Sequence, residues 1–337
     1  MSRIKVWQDV VIIKILHHNL SDIKNGEVSR QIESALREGE LTVDHLNKKI
    51  IFDTLCEGHG PREMQAVLED LRHFDWYDPT KIVFLHNSLE IPCDNIKNVG
   101  WPWYMVNHSN WLHNLQEIQF DWENHTKDRW FLCLMRRPSK QRSLLLKNLL
   151  TMFDQQQYRL SYASMINYQD FDEISQVSIP ILLDGPTPGD EQHHARDSKI
   201  FGCLTNLIVE TSCQESGDHH WISAYLSEKT FKCFGWRQLP IWFAVPGHVE
   251  KVRSLGFDVF DDIIDHQRYD SVEDPEERMM AMLSVLENFL LSCKNISPQD
   301  FYTSVKHRLE ENYDKLVKLD ARRLPYWSSI LNKCYEL

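Results

Sequence analysis

Three short runs of this 337-residue chain gather side chains able to handle anions, sugars or protons. The first is Arg136-Arg137-Pro138-Ser139-Lys140-Gln141-Arg142. From Lys127 to Lys147 there are seven cations (Lys127, Arg129, Arg136, Arg137, Lys140, Arg142, Lys147) against one acid, Asp128. Guanidinium forks and a helix N-terminus both suit phosphate oxygens; a solvated basic helix start is the plainer use of the same residues. The second run is Ser227-Glu228-Lys229-Thr230. A serine cap followed by glutamate is ordinary helix-start chemistry. It also presents Lys229 and backbone N–H groups to a diphosphate, with Glu228 free to accept bonds from sugar hydroxyls. The third, Asp53-Thr54-Leu55-Cys56-Glu57-Gly58-His59-Gly60, offers two carboxylates and a histidine among glycines. It reads either as a general-base loop or as a turn made of turn-formers.

Other chemistries lack their residues. The pair Asp170-Phe171-Asp172 has the spacing of a metal–diphosphate motif, but two isolated aspartates do not make a divalent-cation site. The doublets His17-His18, His193-His194 and His219-His220 send adjacent side chains in different directions, and no H-E-x-x-H occurs, so no metal site is expected. The eight cysteines are scattered without a C-x-x-C pair and read as reduced, buried thiols. P-loop, dinucleotide and nucleophile-elbow motifs are all missing. No apolar run reaches the roughly 18 residues of a membrane span. Within the opening Met1–Leu20, the apolar run Val10–Leu16 is interrupted by Lys14 and followed by no small-residue cleavage site, and reads as a buried strand, not a signal peptide. These features together describe a cytoplasmic protein. The net charge of −12 argues against a general nucleic-acid coat. The 11 Trp, 15 Phe and 11 Tyr serve a large core or an aromatic-walled cleft.

The elements that must position these runs alternate strand and helix. Val10–Leu16, Lys49–Asp53, Lys81–His86 and Trp103–His108 read as strands, with helices over Val28–Leu36 and Arg62–His73. A polar, Trp-studded stretch then places a boundary near residue 125. Strands follow at Trp130–Met135, Tyr158–Tyr162, Ile179–Leu183, Leu204–Thr211, Leu239–Val245 and Phe257–Phe260. Helices are expected over Gln141–Met152, Ser227–Gly235 and Pro246–Leu255. Asp274-Pro275-Glu276-Glu277 is a helix start, and the stripe Phe301, Val305, Leu309, Tyr313, Leu316 marks a second tail helix. The fold class is α/β: two Rossmann-like domains, residues 1–125 and 126–295, with a helical tail over 296–337. In such sheets ligands bind at the carboxyl ends of strands, where all three runs fall.

Leu207-Ile208-Val209-Glu210-Thr211-Ser212, Tyr225-Leu226-Ser227-Glu228-Lys229-Thr230 and Leu239-Pro240-Ile241 together resemble the donor half of GT-B glycosyltransferases. The pattern is similar to the α-1,3-fucosyltransferase type over about residues 205–245. Phe131–Pro138 and Pro246–Asp261 resemble glycosyltransferase-like proteins of tailed phages and marine viruses, a likeness running over about residues 48–290. The chain departs from the fucosyltransferase pattern at Glu210-Thr211-Ser212, which lacks the asparagine, and at Trp236-Arg237-Gln238.

The resemblance implies a nucleotide-sugar glycosyltransferase with a UDP- or GDP-linked co-substrate and no metal or other cofactor. Glu228 would bind the ribose; Lys229 and one of Arg136 and Arg137 would meet the diphosphate, with Lys140, Glu210 and Ser227 completing the donor site. The first half would hold the acceptor, with Glu57 as base, and Asp53 or His59 behind it. The phage-like character suggests a hydroxymethylated pyrimidine in viral DNA as acceptor, which places the protein in the host cytoplasm; a surface glycan is the other choice. Trp101, Trp103 and Trp111 would suit a flipped base. A non-catalytic nucleotide- or glycan-binding protein of the same fold is the alternative.

Overall fold

Apolar, β-branched runs separated by amphipathic stretches fold here into two sheets, each with four parallel strands. The computed structural model describes residues 4–7, 10–14, 25–53, 61–86, 96–100, 125–135, 139–162, 198–210 and 226–318. They divide into two compact units, one built on residues 4–100 and the other on 125–210 and 227–318. The expected strands at Trp103–His108 and Ile179–Leu183 lie outside the described residues.

Unit 1 runs β1 (Ile4–Trp7), β2 (Val10–Lys14), α1 (Glu27–Glu38), α2 (Val43–Leu46), β3 (Lys49–Asp53), α3 (Pro61–Leu71), β4 (Ile82–His86) and β5 (Asn98–Gly100). The strands lie in chain order, with β1 antiparallel to β2 and the rest parallel. Alternation sends Val11, Ile13, Ile50, Phe52, Ile82 and Phe84 into one core with Val28 and Ile32 of α1 and Met64, Val67 and Leu71 of α3. Phe52 stacks on Phe84 at 5.4 Å. Asp70 of α3 ties the helix pair: its carboxylate accepts from the Ser29 N–H, and its carbonyl from the Ser29 hydroxyl, both at 2.9 Å.

Unit 2 runs β6 (Arg129–Met135), α4 (Lys140–Met152), β7 (Tyr158–Tyr162), α5 (Ser198–Phe201), β8 (Cys203–Val209), α6 (Glu228–Gly235), β9 (Leu239–Phe243), α7 (His248–Ser254), α8 (Gln267–Asp270), α9 (Pro275–Ser292) and α10 (Pro298–Lys318). The sheet order is β7-β6-β8-β9, all parallel. Every residue of β8 and β9 is buried, as in strands covered on both faces. This includes the polar pair Thr205 and Asn206, and Asn206 Nδ2 donates to Gln238 Oε1 at 2.9 Å. Asp274 caps α9, accepting from the Glu276 and Glu277 N–H groups at 2.9 and 2.8 Å, with Pro275 at the first helical position. The α10 stripe buries Val305, Leu309, Tyr313 and Leu316, and the helix packs on α6 and β8.

Phe257–Phe260, expected as a strand, has no ladder partner. A side-chain amide supplies the bonds instead: Asn312 Oδ1 accepts from the Asp258 N–H (2.9 Å) and its Nδ2 donates to the Asp258 carbonyl (2.7 Å). The Asp258 carboxylate then accepts from the Phe260 N–H at 2.8 Å, turning the chain, and Phe260 takes φ 64°. That is an uncommon backbone for a bulky residue, and Phe260 is held there fully buried beneath the Arg308 guanidinium, 4.6 Å from its ring. Arg308 also forks onto both Asp258 and Asp262 at 2.6–3.0 Å.

Candidate functional site

The strand order singles out one place in unit 2. From β6 the chain crosses to β7 on one side, then returns to place β8 and β9 on the other, so the order reverses between β6 and β8. The carboxyl ends of two such strands, where the following connections diverge and open a crevice, are where open parallel sheets bind ligands. Here those connections, over 136–138 and 211–225, lie outside the described residues. Unit 1 has no such reversal among its described strands, since β1 to β5 follow chain order.

Both helices that begin at this crevice are capped by serine. Ser139 Oγ accepts from the Arg142 N–H at 3.2 Å at the start of α4. Ser227 Oγ accepts from the Lys229 N–H at 3.1 Å at the start of α6. Each cap leaves further first-turn N–H groups at the positive end of a helix.

Beneath the α6 start lies a buried polar network. Glu210, one residue past β8 and 2% exposed, accepts from Ser227 Oγ at 2.6 and 2.8 Å and from Thr230 Oγ1 at 2.6 Å. Thr230 Oγ1 lies 3.2 Å from His248 Nε2. The single hydroxyl proton of Thr230 goes to the carboxylate, so His248 must donate through Nε2–H and keep Nδ1 bare. His248 is fully buried, and burial pulls its pKa down to about 4 despite the opposing charge of Glu210, so the ring is neutral at pH 7. Tertiary contact thus spends Glu210 and Ser227 on holding the first turn of α6.

The β6 side has its own tie. Arg142, 5% exposed, donates from Nη2 to the carbonyl of Val209, the last residue of β8, at 3.2 Å. Arg142, Thr230 and His248 are the site residues the sequence did not single out. Arg142 appeared only as one cation of seven, and Thr230 and His248 gave no signal beyond a hydroxyl two residues after a glutamate.

The other expected residues are placed as follows. Lys140, the first residue of α4, is 75% exposed, with its Nζ 3.6 Å from Glu276 Oε1. Lys229 is half-buried in the first turn of α6, and Glu228 is that helix's first residue. Asp53 ends β3 in unit 1 and is buried. Arg136, Arg137, Glu57 and His59 lie outside the described residues.

The cation run does not collect at one end. Lys127 and Arg129 flank the start of β6, a seven-residue strand and so about 20 Å from the α4 loop. Lys127 is buried, its Nζ donating to the Phe201 carbonyl at 2.6 Å, and burial lowers its pKa to about 8. Arg129 and Arg159 both reach Asp128. Among the described residues no group of three His, Cys, Asp or Glu could hold a metal ion, and no helix is long and apolar enough to cross a membrane. Cys133, Cys203, Cys233 and Cys293 are buried.

No family model, curated protein or solved structure matches this chain.

Proposed function

We propose that this protein is a metal-independent glycosyltransferase of GT-B type, with two Rossmann-like domains and a nucleoside-diphosphate sugar as donor. The observation that carries the reading is the reversal of strand order between β6 and β8, with serine-capped helix starts at both carboxyl ends. That arrangement aims backbone N–H groups and helix dipoles at one crevice, the chemistry a diphosphate needs. On this reading Lys229 meets the diphosphate with Arg136 or Arg137, and Glu228 the ribose. Glu210 and Ser227 hold the helix start that presents them. Loss of the nucleotide diphosphate is then helped by fixed positive charge, and Asp53, Glu57 and His59 remain the candidates for the base that deprotonates the acceptor hydroxyl. The acceptor is a hydroxymethylated pyrimidine of DNA or a surface glycan.

A thermal-shift screen of UDP- and GDP-sugars, run with and without EDTA, tests the donor half. The expected result is a rise in Tm that survives EDTA and disappears in Lys229→Ala. No shift with any nucleotide sugar refutes the proposal. A hit is then incubated with hydroxymethylcytosine DNA and the product weighed by mass spectrometry; binding without turnover on any acceptor identifies a nucleotide-binding protein, not a transferase.

A further inference from the structure

The two helix starts at the crevice are joined through consecutive residues of one strand end. Arg142 is spent at both ends of its length. Its N–H is held by the α4 cap, Ser139 Oγ, and its guanidinium reaches the Val209 carbonyl. The next residue, Glu210, accepts from Ser227 and Thr230 in the first turn of α6. The path from α4 through Arg142, Val209 and Glu210 to α6 therefore crosses the β6–β8 reversal without a gap. It is almost wholly buried, with Arg142 5%, Val209 1%, Glu210 2%, Ser227 1% and Thr230 0% exposed. Buried ions are tolerated when charge and hydrogen bonds are compensated, and a cation and an anion occupy this one short path. A planar fork fixes direction as well as charge, which a lysine ammonium does not.

We infer that Arg142 is a positioning residue of the diphosphate site, setting the α4 helix start against the end of β8 so that both helix starts address one ligand. This rests on the donor-site reading above. It assigns to Arg142 a role separate from the diphosphate contacts expected of Lys229 and Arg136 or Arg137.

The test is isothermal titration of the full chain with UDP, GDP, uridine and guanosine. It compares wild type, Arg142→Lys and, as a milder break of the same first turn, Ser139→Ala, each first shown to be folded by circular dichroism. The quantity read is the ratio of nucleoside Kd to nucleoside-diphosphate Kd. Loss of one hydrogen bond made by a charged group predicts that Arg142→Lys lowers this ratio about tenfold or more. Nucleoside affinity itself should stay within about twofold. Ser139→Ala should lower the ratio in the same direction. A merely structural role would change Tm and leave the ratio alone, so an unchanged ratio in a folded variant overturns the assignment. If Arg142→Lys does not fold, Ser139→Ala decides. If wild type binds none of the four ligands, the donor-site reading fails and the inference with it; if wild type binds and the variants keep the ratio, only the inference fails.

Discussion

Acidification should loosen unit 2 well before its carboxylates protonate. Trp242 of β9 lies between two buried imidazoles, with ring centroids 5.9 Å from His248 and 5.7 Å from His266. His266 Nε2–H donates to the Val259 carbonyl at 2.7 Å, and its Nδ1 accepts from the Tyr269 hydroxyl at 2.6 Å. That hydroxyl in turn accepts from the Trp242 backbone N–H at 3.3 Å. Burial lowers both histidine pKa values from 6.5 to about 4, and the nearby charges of Glu210, Asp261 and Asp265 do not reverse it. The unfolded chain therefore binds these protons first. Stability is full above pH 6.5, falls as the pH drops towards 4, and levels off below that. For one ring the loss at pH 5 is about 2 kcal/mol, and for both about 4 kcal/mol, a large part of a typical folding free energy. Guanidinium titrations at pH 7.5, 6 and 5, with hydrogen exchange of the β9 peptide to identify the part that opens, measure this directly. His266→Phe cannot titrate. It should cost about 1–3 kcal/mol at pH 7.5 through the unpaired Tyr269 and Val259 groups, and then lose about 2 kcal/mol less than wild type on going to pH 5. If the variant and wild type lose equally between those pH values, His266 is not a source of the acid sensitivity and the reasoning is refuted.

Glu210→Ala strands two buried hydroxyls and should cost about 3 kcal/mol in denaturant unfolding, whereas Glu210→Gln, which keeps an acceptor, should cost less. Arg308→Ala removes the fork onto Asp258 and Asp262 and the cover over Phe260; a loss of about 1–3 kcal/mol in the same assay is expected, against no change if these contacts are mere surface pairs. Asp274→Ala removes the α9 cap and should lower stability by about 1 kcal/mol, read as a lower denaturant midpoint at unchanged slope.

The elements were legible where local rules fix them. Apolar stretches such as Leu204–Thr211 and Leu239–Val245 announce buried strands, and Asp274-Pro275 announces a helix start, because burial and capping act within a few residues. Ile4–Trp7 was not legible: an edge strand needs its antiparallel partner β2 to be one, and four residues carry little period of their own. Phe257–Phe260 looked like a strand, but Asn312, more than fifty residues on, supplies the hydrogen bonds a neighbouring strand would have given.

For the candidate site, the sequence determined that cation-bearing helix starts follow β6 and β8 and that Ser227 caps the second, since a cap is chosen by its own first turn; the Ser139 cap of α4 came from the structure. Only the tertiary structure decided that the order reverses between these strands. It also decided that Glu210 faces Ser227 and Thr230, that Arg142 and not Lys140 is buried against the end of β8, and that Lys127 and Arg129 belong to the far end of the sheet. The physical reason is that charge clustered along a chain is dispersed once a strand extends it by about 3.3 Å per residue. Charges far apart in sequence meet where parallel strands end side by side.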